Sequence, residues 1–347
     1  MGKQMGAVAS LAQCIELQVP DRLPVFCHSE RFDAAYCNLP YSRYATETKA
    51  LVDCQVHAIE RFDWDWSWVH LDDTIELESY GITTTDDPTE PRRVLQPLSF
   101  NGATLNSLKP DLVLRGERIG VLMGALTSLR AAFGDTRCIC GRLSGPYTLL
   151  CLLFGPDAIQ QALQRNSSLL REALDLAAEM SIILAEAQAA AGAHAVWVDD
   201  RLACSDLVDP TVYRRVILPS TQRLLNDLRA AEVWGMYHTA ENNLEALRVH
   251  AEAAPDVLSV GSMLSLPQAH GAVGHQVALM GNLDPILLLT KAWPSQLAAY
   301  VDNLVRYMKT GGMILSTSGP LPVEARGPNL HTMVDTARKI WDIVVGR

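Results

Sequence analysis

The stretch Val277-Ala278-Leu279-Met280-Gly281-Asn282-Leu283-Asp284-Pro285 decides the fold. Four apolar residues run into Gly281-Asn282, and an acid and a proline follow. This reads as a buried strand that stops at a polar tip and hands over to a helix. The chain repeats that arrangement about eight times, with strand-like runs at 23–27, 66–71, 137–143, 193–198, 233–237, 257–260, 277–280 and 313–315. Helical patterns separate them, at 46–61, 157–191, 210–229, 241–253, 295–308 and 329–344. Strands alternating with helices imply parallel strands joined by crossovers. With no Gly-x-Gly-x-x-Gly fingerprint, the pattern favours a single (β/α)8 TIM barrel over a doubly wound sheet. Residues 83–114 break the rhythm with Asp86-Asp87-Pro88, Glu90-Pro91 and Gln96-Pro97, and read as a hairpin-like, lid-like insertion after the second strand. No linker-like segment divides the chain, so residues 1–347 are expected to form one domain.

Composition narrows the function classes. Hydrophobic residues make up 48% and charged residues 20%, which suits a large globular core. A net charge of −10 argues against nucleic-acid binding, because little is left to neutralise phosphates. No apolar run reaches the roughly 18 residues of a membrane span, and the N-terminal residues do not read as a signal peptide. The 8 cysteines form no C-x-x-C pair, so reduced thiols in a cytoplasm are expected. Cys138 and Cys140 share a strand face and read as small barrel residues.

In such barrels the active site gathers at the C-terminal ends of the strands. Those ends carry His28, Asp72-Asp73, Ser144-Gly145-Pro146, Asp199-Asp200, His238 with Glu241, Ser262, Asn282 with Asp284, and Ser318-Gly319. His238 is either a structural hydrogen-bonding group or a metal ligand or acid-base group. At each acid pair, pleating should send one carboxylate inward and the other aside, the latter to cap a helix or join a surface ion pair. Two inward carboxylates facing each other would raise one pKa and create a proton donor. Trp64, Trp66 and Trp68 share a face and read mainly as packing, with a ligand wall as the alternative. Spacing leaves open whether Arg142 or Gly141 points inward.

The chain resembles the uroporphyrinogen decarboxylase superfamily. The resemblance runs from about Asp21 to the C-terminus. It is carried by Asp21-Arg22-Leu23-Pro24-Val25, Gly145-Pro146-Tyr147-Thr148-Leu149, Asp199-Asp200, Asp209-Pro210, Gly281-Asn282-Leu283-Asp284-Pro285 and Ser318-Gly319-Pro320-Leu321-Pro322. It implies a (β/α)8 barrel and one of two activities. The decarboxylase branch implies an arginine-bearing segment after the first strand, where this chain reads Cys27-His28-Ser29-Glu30-Arg31, and an aspartate at Asp72. It also implies a histidine where Ser318 stands. The cobalamin-dependent methyltransferase branch is the closer match at Thr74-Ile75-Glu76-Leu77-Glu78-Ser79-Tyr80-Gly81. That branch implies a zinc site of one histidine and two cysteines. His238 matches the histidine, but Ala240 and Ser318 stand at the cysteine positions.

The resemblance therefore implies a methyltransferase moving a methyl group between a small, O-methylated or N-methylated substrate and a corrinoid. A corrinoid protein is the expected partner, and zinc is an open question. His238, Asp72 and Asp200 are the candidate catalytic groups, with His238 also the candidate metal ligand. His28, Asp199, Asn282, Ser318 and Glu241 are the candidate substrate contacts. The rivals are a cofactor-free decarboxylase or lyase and a non-catalytic ligand-binding barrel. A homodimer is common in the family, although these residues do not themselves argue for one.

Overall fold

The computed structural model describes residues 6–165 and 167–347. Eight strands form one sheet: β1 (Val25–His28), β2 (Trp66–Trp68), β3 (Cys138–Ser144), β4 (Ala195–Asp199), β5 (Trp234–His238), β6 (Val257–Ser259), β7 (Ala278–Leu283) and β8 (Met313–Pro320). Neighbours run in the order β1-β8-β7-β6-β5-β4-β3-β2, and every paired ladder is parallel. Helices separate successive strands and cover the sheet. This is the (β/α)8 barrel that the sequence predicts.

The two ends of the strand order, β1 and β2, meet through Asp65. Its amide donates to the Val25 carbonyl at 2.8 Å, and its carboxylate accepts from the Val25 amide at 2.8 Å. Arg22 reaches the same carboxylate at 3.0 Å and Arg338 at 2.6 Å, while Asp65 is 1% exposed. The Arg22-Leu23-Pro24-Val25 segment thus serves to seal the barrel.

The deciding stretch differs from its sequence reading in one respect. β7 does not stop at Met280 but continues through Gly281 and Asn282 to Leu283, with Asn282 in register with Ser316. The Asn282 side chain donates to the carbonyls of Gly261 at 2.8 Å and Leu264 at 2.7 Å, so it pins the loop after β6. A short π-helical turn, Leu287–Lys291, comes next, and the main crossover helix begins only at Pro294. The single helix expected over 157–191 is two, Pro156–Gln164 and Ser168–Ala190.

After β2 the chain makes the excursion that breaks the periodicity. Thr83–Thr84 pairs antiparallel with Val94–Gln96, and the connection between them carries Pro91, Arg92 and Arg93 over the mouth of the barrel.

Candidate active site

A cavity of about 290 Å³ opens at the C-terminal ends of the strands. Its wall includes His28 from β1, Trp68 from β2, Trp197 and Asp199 from β4, and His238 from β5. Glu30, His70, Asp72, Asp73 and Arg201 come from the segments that follow these strands.

Strand alternation sets the floor. Trp66 and Trp68 lie two residues apart with ring centroids 6.3 Å apart, and Trp197 crosses Trp68 at 80°. His28 sits among the three indoles, 4.9 Å from Trp66, 4.8 Å from Trp68 and 4.5 Å from Trp197. The ligand-wall alternative therefore describes Trp68, whereas Trp64 packs on Phe62. His28 shares a hydrogen bond through Nδ1 with Thr317 Oγ1 at 3.1 Å, and its buried Nε2 has no partner. His238 likewise commits Nδ1, to Ser259 Oγ at 2.5 Å, and Trp197 lies over its ring at 4.9 Å. Burial first, then mutual repulsion, pushes the His28 pKa well down; burial also lowers that of His238, to about 4. Both imidazoles are neutral at pH 7.

The charges of the mouth form one cluster. Arg142 points into the barrel because Gly141 faces the other way, where a Cβ would lie 1.8 Å from Gln188 Oε1. Its guanidinium donates to Asp73 at 2.7 Å, Asp199 at 2.8 Å and Glu76 at 3.2 Å. Arg201 also donates to Asp73 and Asp199. Burial opposes the charge of Asp199, but Arg201 and Arg142 outweigh it and hold the carboxyl below its usual range.

Asp72 is tied up in a different way. Arg118 grips both its oxygens, and Thr74 donates to it through its amide at 2.9 Å and its hydroxyl at 2.6 Å. Burial disfavours the Asp72 anion, yet the Arg118 bonds bring its pKa below the ordinary value. Asp72 reaches the cavity wall as a committed carboxylate.

The remaining candidates stand apart from this wall. Asp200 turns behind it, accepting from the Thr148 amide at 2.7 Å and the Tyr237 hydroxyl at 3.2 Å. It fits because position 145 is glycine, where a Cβ would come within 2.5 Å of the Asp200 side chain. Asp200 thus caps the helix Pro146–Phe154, and burial raises its pKa to about 6. Glu241 accepts from Ser205 and the Asn243 amide and lies 3.3 Å from His250 Nε2, tying two loops together. Asn282 is spent on the β6 loop. Ser318 lies on β8, next to Gly319 and Pro320 of the cavity rim.

The zinc site implied by the resemblance is not matched by these donors. Ala240 offers no ligand atom, Ser318 offers a neutral hydroxyl in place of a thiolate, and Cys204 lies outside the cavity wall. Among the described residues, no group of three or more His, Cys, Asp and Glu side chains is placed to hold a metal ion.

Sequence reasoning passed over Glu30 and His70. The spacing of Trp66, Trp68 and His70 carries a same-face signal past the end of β2, and Glu30 opens the helix directly after β1.

Comparison with known proteins agrees with this architecture. A methyltransferase from Methanosarcina mazei superposes with a TM-score of 0.87 over 97% of this chain and 100% of its own, at 20% identity. A methylcobamide:CoM methyltransferase from Methanosarcina acetivorans is 23% identical over 335 residues, covering 94% of this chain and 96% of that protein. A uroporphyrinogen decarboxylase from Nocardia farcinica is 29% identical over 220 residues, covering 60% of this chain and 61% of that one. Residues 9–340 match the profile described as Uroporphyrinogen decarboxylase (URO-D), and the chain belongs to that family.

Proposed function

We propose that this barrel transfers a methyl group between a small substrate and a corrinoid presented by a partner protein in the cytoplasm. The observation that carries the reading is the cavity floor. Trp68, Trp197, His28 and His238 form an apolar, uncharged base, and the cavity holds about 290 Å³. A pocket of this size suits a small methyl donor, whereas a corrinoid could only sit above the mouth. Arg142 and Arg201 at the wall are already bonded to Asp73 and Asp199, which leaves only the rim residues Arg92 and Arg93 facing the cavity as cations for a substrate carboxylate among the described residues. The decarboxylase alternative asks Asp72 to meet a cationic or NH-bearing intermediate, and here that carboxylate is already gripped by Arg118.

Within this reading His238 faces the donor, with Nδ1 anchored on Ser259 and Nε2 left for the substrate. His28 Nε2, unpartnered at the floor, is the second contact. Asp199 holds Arg142 and Arg201 in place at the wall. Met263, Ile286, Leu287 and Trp293 are exposed on the segments after β6 and β7 and supply apolar contact area for the partner. No helix among the described residues is long and apolar enough to cross a membrane.

The test is anaerobic incubation with free cob(I)alamin and a panel of methyl ethers, methylamines and methyl thioethers, with methylcobalamin formation followed by absorbance. The assay is run with and without added zinc. Transfer from one donor class supports the reading. No transfer from any class, with turnover of a carboxylated substrate that needs no corrinoid, would replace it with the lyase.

A further inference from the structure

Four carboxyls border the cavity, and three of them are bonded to arginine: Asp72 to Arg118, and Asp73 and Asp199 to both Arg142 and Arg201. Glu30 is the fourth and accepts no arginine bond among the described residues. It is buried, at 7% exposure, in the first turn of the helix Glu30–Tyr36. The Tyr41 hydroxyl donates to its Oε1 at 2.7 Å. Its Oε2 lies 3.8 Å from His70 Nε2, which is beyond hydrogen-bond range. With Oε1 already accepting, a proton on this carboxyl belongs on Oε2.

We propose that Glu30 is the general acid of this site, delivering the Oε2 proton to the heteroatom that loses its methyl group. This deepens the methyl-transfer reading and rests on it. The balance is simple. The bond between methyl carbon and heteroatom breaks, and its electron pair stays on the heteroatom. The methyl carbon takes a new pair from the reduced corrinoid. The Glu30 proton moves to the heteroatom, leaving a carboxylate that solvent reprotonates through the open mouth. Without a zinc thiolate site, a neutral acid is what allows an alkoxide or amide-like leaving group to depart.

The surroundings favour the protonated form. Burial raises the Glu30 pKa to about 8. The Tyr41 bond and Arg142 act in the opposite direction, while Asp73 and Asp72 add to the rise. The facing His70 is neutral, because burial and then Arg142 lower its pKa to about 3. At neutral pH the cavity therefore holds a carboxylic acid opposite an uncharged imidazole.

The experiment pairs infrared spectroscopy with kinetics on the full chain and on Glu30→Gln, which keeps an acceptor for Tyr41. The infrared difference between the two proteins should show a protonated-carboxyl C=O stretch at pH 7 that fades as pH rises through about 8. Methyl transfer to free cob(I)alamin from an alkyl methyl ether should fall by about 10²–10⁴-fold in kcat, with KM little changed. The loss should shrink for methyl ethers of progressively more acidic phenols, because those leaving groups need less protonation. A purely structural role would depress all donors equally. Absence of the carboxyl band at pH 7, or an equal loss across donors, overturns the assignment. Wild-type protein that transfers no methyl group would instead overturn the functional reading, and with it the leaving group that Glu30 protonates. The infrared band is read independently of that outcome.

Discussion

Two buried ion clusters sit at different places in this barrel, and their differences are instructive. At the β1–β2 seam, Asp65 fills both its oxygens with Arg22, Arg338 and the Val25 amide. At the mouth, Arg142 and Arg201 bind Asp73 and Asp199 just as tightly, yet the cluster borders a cavity that also holds Glu30, His28 and His238. Buried charge alone therefore does not mark a functional site, since structural ion networks bury and pair charges as well. What separates the mouth is a cavity and the polar atoms that line it without a hydrogen-bond partner among the described residues, such as His28 Nε2 and the Oε2 of Glu30.

If the seam is purely structural, Asp65→Asn should cost stability without touching the site. Removing one partner of a buried, hydrogen-bonded cluster costs about 3–5 kcal/mol, which a urea unfolding curve would read directly. Molecules that remain folded should keep the substrate KM. A near-normal unfolding midpoint would mean that β1 and β2 close without this carboxylate. Arg142→Met tests the opposite pole. It would leave Asp73, Asp199 and Glu76 without their shared cation, so a comparable stability loss should come with abolished methyl transfer. His238→Ala removes a cavity-facing imidazole and leaves both ion clusters intact. Methyl transfer should fall by about 10²-fold or more, with little change in the unfolding midpoint. Full activity in that variant would take His238 out of the site.

A gentler comparison uses pH. The folded-state pKa of Glu30, about 8, lies above its ordinary value of 4.5. Between those values the native protein holds a proton that the unfolded chain releases. This contribution to stability is therefore fully present below about pH 4.5 and is lost as pH rises through 8. Glu30→Gln has no such proton. The stability gap between wild type and variant should drift by up to about 1.4 kcal/mol per pH unit across that window. Denaturation curves at several pH values would show it, and a gap that stays constant from pH 5 to 8 would break the contrast between Glu30 and its arginine-bonded neighbours.

Much of the barrel was legible because each strand is an apolar run bounded by polar tips and followed by a helical period. Boundaries were less so. β7 runs on through Gly281 and Asn282 because ladder pairing with β8, which no local pattern reveals, continues to Leu283. In the site, His28, Asp72, Asp199 and His238 were readable as tip residues, and the structure places all four on the cavity wall. Asp200, Glu241 and Asn282 are also tip residues, but they turn toward Thr148, Ser205 and the Gly261 carbonyl, partners 52, 36 and 21 residues distant. Arg118 was invisible for the same reason: it arrives from beyond the insertion, 46 residues after the carboxylate it binds. The choice between Arg142 and Gly141 depended on Gln188, on a helix that spacing cannot dock.

The adjacent pair Asp199 and Asp200 gives the finest version of the comparison. Pleating sends Asp199 to the cavity and Asp200 to the N-terminus of the helix Pro146–Phe154. Asp200→Asn keeps the shape and an acceptor for the Thr148 amide, but its amide nitrogen cannot accept from Tyr237. Loss of one net hydrogen bond predicts a destabilisation of only about 1 kcal/mol. Because the group stands behind the wall, kcat should stay within about a factor of ten, the equivalent of a 1.4 kcal/mol change in barrier. Asp199→Asn should behave differently, since it removes one of the carboxylates that hold Arg142 and Arg201, leaving them to Asp73 and Glu76, and shifts both KM and the charge balance of the mouth. If Asp200→Asn were the more damaging of the two for methyl transfer at equal stability, the proton path would run through Tyr237 and Asp200, and the division between cavity wall and supporting layer would have to be redrawn there.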